Sequence, residues 1–277
     1  MHIVGIGDNV VDRYLTRGQM FPGGNALNVA VFARRAGARA AYIGAVGDDT
    51  AGRLVLRALQ AEGVDVSRVR VVAGHTAYAS VALVNGDRRF GAASIGVSHF
   101  APDAADLAAL RTADLVHSSI YSGLDEWVRT VRADFPVSFD FSDQIDRASV
   151  RALAPGLTCA LFSGSKLSAQ QAEDLVRWTV SLGTRVALVT RGADDVIACA
   201  GDRCWTQPAR PARVVDTLGA GDAFLAAFLV AYLDGAHPSE ALARGADAAA
   251  TTCGYYGAFG YGEPIESART TTAAVAD

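Results

Sequence analysis

The sequence predicts an α/β protein: a doubly wound, mostly parallel sheet flanked by helices, with a small β lid. Three observations carry this. Strand-like and helix-like runs alternate in βαβα order through the first ~60 residues, which calls for a parallel sheet with helices on its faces. The same alternation resumes beyond Asp114. Between the two, from Arg68 to Val97, an apolar alternating run, an "NGD" turn and a returning run predict an antiparallel pair.

In order, Met1 to Ile6 reads as a buried strand, broken at Gly7. Asn25 to Arg35 follows "PGGN" with helical spacing at Leu27, Val31 and Phe32, and Gly37 stops it. Ala40 to Val46 predicts a strand. Asp49 to Ala61 predicts a helix with Leu54, Leu56 and Leu59 apolar, ended by Gly63. The hairpin around Asn85 to Asp87 fits either an edge of the main sheet or a separate lid over 71–97, with 10–20 adding a strand. Asp114 to His117, Val137 to Phe141, Cys159 to Phe162 and Arg185 to Thr190 read as parallel strands. Ser168 to Leu182 reads as a helix capped by Ser168. Val196 to Ala200 and Arg203 to Thr206, split by "GD", predict a second hairpin. Helices at Ala220 to Asp234 and Ser239 to Thr252 follow, and the Thr- and Ala-rich last ~20 residues are expected to fray. The chain, 1–277, is expected to be one domain with the lid attached.

Composition narrows the function classes. A net charge of -4 argues against nucleic acid as a partner. No run of ~18 apolar residues exists, and "AFLAAFLVAYL" is too short to span a membrane. The N-terminus lacks the basic and apolar regions of a signal peptide, and the cysteines, read as reduced thiols, point to a cytoplasmic setting. The four cysteines match no zinc spacing and read as small buried hydrophobes, although Cys199 and Cys204 sit five apart in a hairpin.

Two motifs carry chemistry. In "DTLGAGDAF", Gly219, Ala220 and Gly221 open a helix, where unpaired N–H groups and the dipole's positive end favour an anion. Asp222 beside such a nest suits phosphoryl transfer, accepting a hydroxyl proton while the nest holds the developing charge. It is equally the residue a plain helix start would place there. In "PGGNALNVA", Asn25 and Asn28 share one face of a first helical turn behind Gly23 and Gly24, suiting a hydroxyl-rich ligand; Asn25 is also a plain N-cap. Upstream, Asp8, Asn9 and Asp12 of "GDNVVD" end a strand where open α/β sheets bind ligands, or simply make a turn. No G-x-G-x-x-G follows that strand, against a dinucleotide fold.

Together, "GDNVVD", "GGNALNVA", "VTRG" and "DTLGAGD", in this order, resemble the ribokinase-like (PfkB) carbohydrate kinases over roughly residues 2 to 260. Within that family, "GDNVVDRY", "PGGNALNVAVFARR", "GDRRFG" before "GVSHF", and "FDFSD" are most similar to the fructoselysine 6-kinases. The resemblance implies an ATP-dependent kinase of a fructosamine such as fructoselysine, acting at its 6-position. A hexose, ribose or nucleoside kinase, and a non-catalytic sugar or nucleotide sensor, are the alternatives.

It further implies that Asp222 is the general base and that Gly219, Ala220 and Gly221 form the anion hole. Asp12, Gly23, Gly24, Asn25 and Asn28 would hold the sugar, with Asp8 and Asn9 nearby and Arg89, or Arg88, reaching from the lid. Thr190, Arg191, Gly192 and Thr217 would meet ATP. Arg191 departs from the family's "T-L-G", and would touch a phosphate or lie over the adenine. The family's Asn-x-x-Glu element is missing, with Ser163 standing near the Asn position. No protein metal ligand is therefore expected, and Mg2+ would be held by ATP and water. The apolar alternating face of "TAYASVALV" allows a homodimer through the lid, or equally packs on the chain's own core.

Overall fold

The computed structural model describes residues 1–84 and 87–265; the side chains of 83–90 lie outside that description. The turn at Asn85 and Gly86 and the tail expected to fray from residue 266 onward also fall outside it.

The strands are β1 (His2–Ile6), β2 (Val10–Tyr14), β3 (Gln19–Gly23), β4 (Arg39–Gly47), β5 (Val69–Val72), β6 (Tyr78–Val84), β7 (Asp87–Ser94), β8 (Leu115–Ser119), β9 (Val137–Asp140), β10 (Cys159–Ser163), β11 (Val186–Thr190), β12 (Asp195–Ala200), β13 (Arg203–Pro208) and β14 (Glu263–Pro264). The helices are α1 (Asn25–Arg35), α2 (Thr50–Ala61), α3 (Ala104–Leu110), α4 (Asp125–Val131), α5 (Arg147–Leu153), α6 (Ala169–Ser181), α7 (Ala220–Leu233) and α8 (Pro238–Thr252).

Nine strands form the main sheet in the order β13-β12-β11-β10-β9-β8-β1-β4-β5. From β11 to β5 every pairing is parallel, and the β12–β13 hairpin is antiparallel. Side-chain alternation explains why this sheet is covered on both faces. Cys159, Leu161, Val186 and Leu188 enter one core with α1, α2, α7 and α8. Ala160, Phe162, Ala187 and Val189, one residue out of step, enter the other with α4, α5 and α6. α7 is apolar on every side because it packs against both α1 and α8.

The second sheet has the order β14-β3-β2-β6-β7. The antiparallel pair around residues 71–97 thus belongs to a sheet of its own. Its expected boundary needs correcting, because Val71 and Val72 lie in β5, parallel to β4 at the edge of the main sheet. β3 and β14 join the small sheet instead. The cysteine reading also changes. Cys199 and Cys204 face each other in register across β12 and β13 and form a disulfide, with Cα atoms 4.1 Å apart. Cys159 is a buried free thiol, as a small core hydrophobe would be, and Cys253 is half-buried.

Candidate active site

The site gathers at the carboxyl ends of β1, β8 and β9, between the starts of α1 and α7. Both helices begin on a glycine in the left-handed region. Gly24 (φ 112°) precedes α1, and a side chain there would meet the Asn9 Cα at 2.5 Å. Gly219 (φ 74°) precedes α7 and packs on Ala258. The α1 start is filled by protein. Asp8 accepts from the backbone N–H of Asn25 (2.6 Å) and Ala26 (3.3 Å), and from the hydroxyls of Ser119 (2.7 Å) and Ser122 (2.8 Å). Asn9 is likewise spent on the scaffold, donating to the Tyr42 hydroxyl (3.1 Å) and the Ala45 carbonyl (2.7 Å). The α7 start has no side-chain cap, and a Cβ at Gly221 would meet nothing within 4 Å.

Asp222, half-buried in the first turn of α7, is gripped by α1. Asn28 Nδ2 donates to its Oδ2 (2.6 Å) and Asn25 Nδ2 to its Oδ1 (2.8 Å). Asn25 also donates to Asp140 Oδ2 (2.7 Å), so one amide spans two carboxylates. The Asn25 Oδ1 is held at 2.8 Å by the ring of buried His117. Burial raises the Asp222 pKa well above the usual carboxylate range, reinforced by the charge of Asp140 and then Asp8; the Asn28 and Asn25 amides pull the other way. Burial pushes Asp140 up to about 6, against hydrogen bonds from the Ser142 N–H and Asn25.

On the sugar side expected from the sequence, Asp12, Gly23 and Asn28 converge. A Cβ at Gly23 would lie 2.7 Å from Asp12 Oδ2 and 3.8 Å from Asn28 Oδ1. Asn28 Oδ1 is buried and accepts no hydrogen bond among the described residues. A buried acceptor left unpaired is costly, and a ligand hydroxyl would relieve it.

Along the neighbouring edge, Thr190 ends β11 with its hydroxyl 3.4 Å from the Phe162 carbonyl, and Gly192 is left-handed at φ 68°. Arg191 is engaged by protein groups. Its guanidinium pairs with Asp195 and Asp194 and donates to the Leu167 carbonyl (3.1 Å), so its charge is spent locally. Thr217 is exposed beside the turn. Arg88 and Arg89 lie in β7, with side chains outside the described set.

Three residues were missed by sequence reasoning. Asp140 ends β9, where the rule about strand ends could have found it. His117 is a polar residue inside the buried run "LVHSS", a signal of its own. Asp216 anchors the glycine turn: its buried carboxylate accepts from the Tyr14 hydroxyl and from the N–H of Leu218 (3.0 Å) and Gly257 (3.0 Å). A separate cavity of about 700 Å³ opens at the opposite, amino-terminal edge of the sheet, bordered by His2, Arg39 and Asp65, away from these groups.

An open α/β sheet whose carboxyl edge sets an uncapped helix start beside a carboxylate has the layout of a small-molecule kinase. The description "pfkB family carbohydrate kinase" matches residues 4–130 and 150–264, and the chain belongs to that family. It is 40% identical over 269 residues to the fructosamine kinase FrlD of Bacillus subtilis (strain 168), covering 95% of each chain. It is 37% identical over 260 residues to the fructoselysine 6-kinase of Escherichia coli (strain K12), covering 92% of this chain and 98% of that one. Among solved structures, the ribokinase of Arabidopsis thaliana complexed with ribose and ATP superposes with a TM-score of 0.79 at 25% identity, over 93% of this chain and 94% of that one.

Proposed function

We propose that the protein is an ATP-dependent fructosamine kinase that phosphorylates the 6-hydroxyl of a substrate such as fructoselysine. The names of the two relatives support the acceptor. One observation carries the chemistry: Asn28 grips Asp222 with its nitrogen while its buried oxygen, on the Gly23 side with Asp12, has no hydrogen-bond partner among the described residues. A sugar donating hydroxyls to Asn28 and Asp12 would set its next hydroxyl against Asp222.

In this reading Asp222 removes the proton as the sugar oxygen attacks the γ-phosphorus. Its raised pKa makes it a stronger base than an exposed aspartate. The N–H groups at Gly219, Ala220 and Gly221 hold the charge that gathers on the transferring group. ATP would lie along Thr190, Gly192 and Thr217. With Arg191 engaged, a candidate cation for its phosphates is Lys166, exposed, three residues past Ser163 and the sole lysine in the chain. No three carboxylate, His or Cys groups converge as a metal site among the described residues, and a lysine stands where a carboxylate ligand would be expected. Mg2+ would be held mostly by ATP and water, and no step is assigned to it. The five-stranded sheet would act as a lid that excludes water over the sugar. A cytoplasmic setting would supply the ATP, with the Cys199–Cys204 disulfide as the one feature that runs against it, and the lid edge would carry a homodimer, checked by sedimentation.

ADP release measured with fructoselysine, fructose, ribose and a nucleoside tests the acceptor. Turnover of fructoselysine at the highest kcat/KM supports the reading, and preference for another acceptor replaces it. Sugar binding without any ADP would point to a sensor.

A further inference from the structure

His117 lies in the middle of β8, fully buried, and contributes nothing to the chemistry above. Its hydrogen bonds fix its state. The Asn25 Oδ1 has no hydrogen, so His117 Nε2 must donate to it (2.8 Å). Nδ1 is then an acceptor, and the Ser138 hydroxyl, 2.8 Å away, donates to it. A directed chain results, from Ser138 on β9 through His117 on β8 and Asn25 on α1 to Asp140 and Asp222.

We propose that His117 is a positioning residue for the catalytic base: with Ser138, it fixes the Asn25 amide so that both N–H bonds face Asp140 and Asp222. The alternative amide orientation would turn the Asn25 oxygen onto both carboxylates. The two carboxylates disfavour it, and His117, donating from Nε2, holds the Asn25 oxygen on the far side from them. His117 is no proton carrier, because burial pushes its pKa down to about 3 and it stays neutral through the working range. The groups that set the ionisation of Asp222 are Asp140 at the end of β9, Asp8 after β1 and the two α1 amides, with His117 acting through one of them.

The inference rests on Asp222 being the base. Losing a hydrogen bond to the ionised carboxylate raises its pKa, so the acid limb of kcat/KM against pH should move upward. For His117→Phe, which keeps a ring but no donor, the expected result is an upward move of about one pH unit, with kcat lower by roughly tenfold and the KM for ATP unchanged. His117→Gln can place a side-chain N–H near the same acceptor, and should restore the parental limb. A folded His117→Phe with the parental limb overturns the proposal. So does a His117→Gln shifted as far as His117→Phe, since ring packing alone would then matter. If His117→Phe does not fold, Ser138→Ala should move the limb in the same direction by less, and an unmoved limb overturns the proposal. Asp222→Asn, run in parallel, separates the two layers: near-parental turnover removes the base itself, whereas an inactive Asp222→Asn beside a His117→Phe with an unmoved limb removes only the positioning.

Discussion

The two glycine-led helix starts facing the cleft are built alike and finished differently. At α1 the protein supplies its own anion, Asp8, which takes up the first N–H groups and ties them to Ser119 and Ser122. At α7 no side-chain cap does this among the described residues, and a Cβ at Gly221 would meet nothing within 4 Å. A helix start is a generic anion site; what makes one functional is that the fold withholds an internal partner. The glycines themselves do not distinguish the two.

The contrast can be broken in several ways. The largest effect is expected for Asp222→Asn, with kcat lower by about 10²–10⁴-fold and sugar affinity mostly kept. Steady-state kinetics with calorimetric sugar titration measures both, and a near-parental kcat would remove the base assignment. Next comes Gly24→Ala at the closed start. Its φ of 112° and the 2.5 Å approach to Asn9 predict about 3 kcal/mol of lost stability, read from urea unfolding.

The carboxylates at the open start should also tune stability with pH. With Asp140 raised to about 6, the folded chain holds that proton more tightly than the unfolded one. The resulting stabilisation is full below about pH 4 and lost as pH rises through about 6. The stability of the parent relative to Asp140→Asn should therefore decline by about 1–3 kcal/mol across that window. Gly221→Ala at the open start should show the reverse of Gly24→Ala: stability equal or higher by ~0.5–1 kcal/mol, since the added methyl meets no protein atom, with phosphoryl transfer about tenfold slower. The smallest effect is a several-fold slowing by ATP of acylation at Lys166, read by mass spectrometry as the one ε-amine in the chain; unchanged labelling would place the phosphates elsewhere.

Much of the scaffold was legible because its signals are local. α1 begins and ends where its glycines and spacing put it, and α6 starts on the Ser168 cap with the full reciprocal box. The short helices α3, α4 and α5 carry only two or so buried side chains each, too few to show a period. The split between β5 and β6 was hidden because both strands are short and apolar, and their choice of sheet depends on partners far away in the chain. In the site, Asp222, Asn25 and Asn28 were visible because they lie within motifs. The capping role of Asp8, the diversion of Arg191 to Asp194 and Asp195, and the path from His117 to Asn25 all depend on pairings across tens of residues or more, or on competition between neighbours that a motif does not rank.

The bond from Tyr14 to Asp216 joins a strand of the small sheet to the root of the glycine turn before α7. With Gly257 also fastened to Asp216, that corner is riveted to the body of the molecule. The small sheet is thereby coupled to that corner at its β2 root, so a bend of β2 at Asp12 would be felt at the turn beneath Gly219.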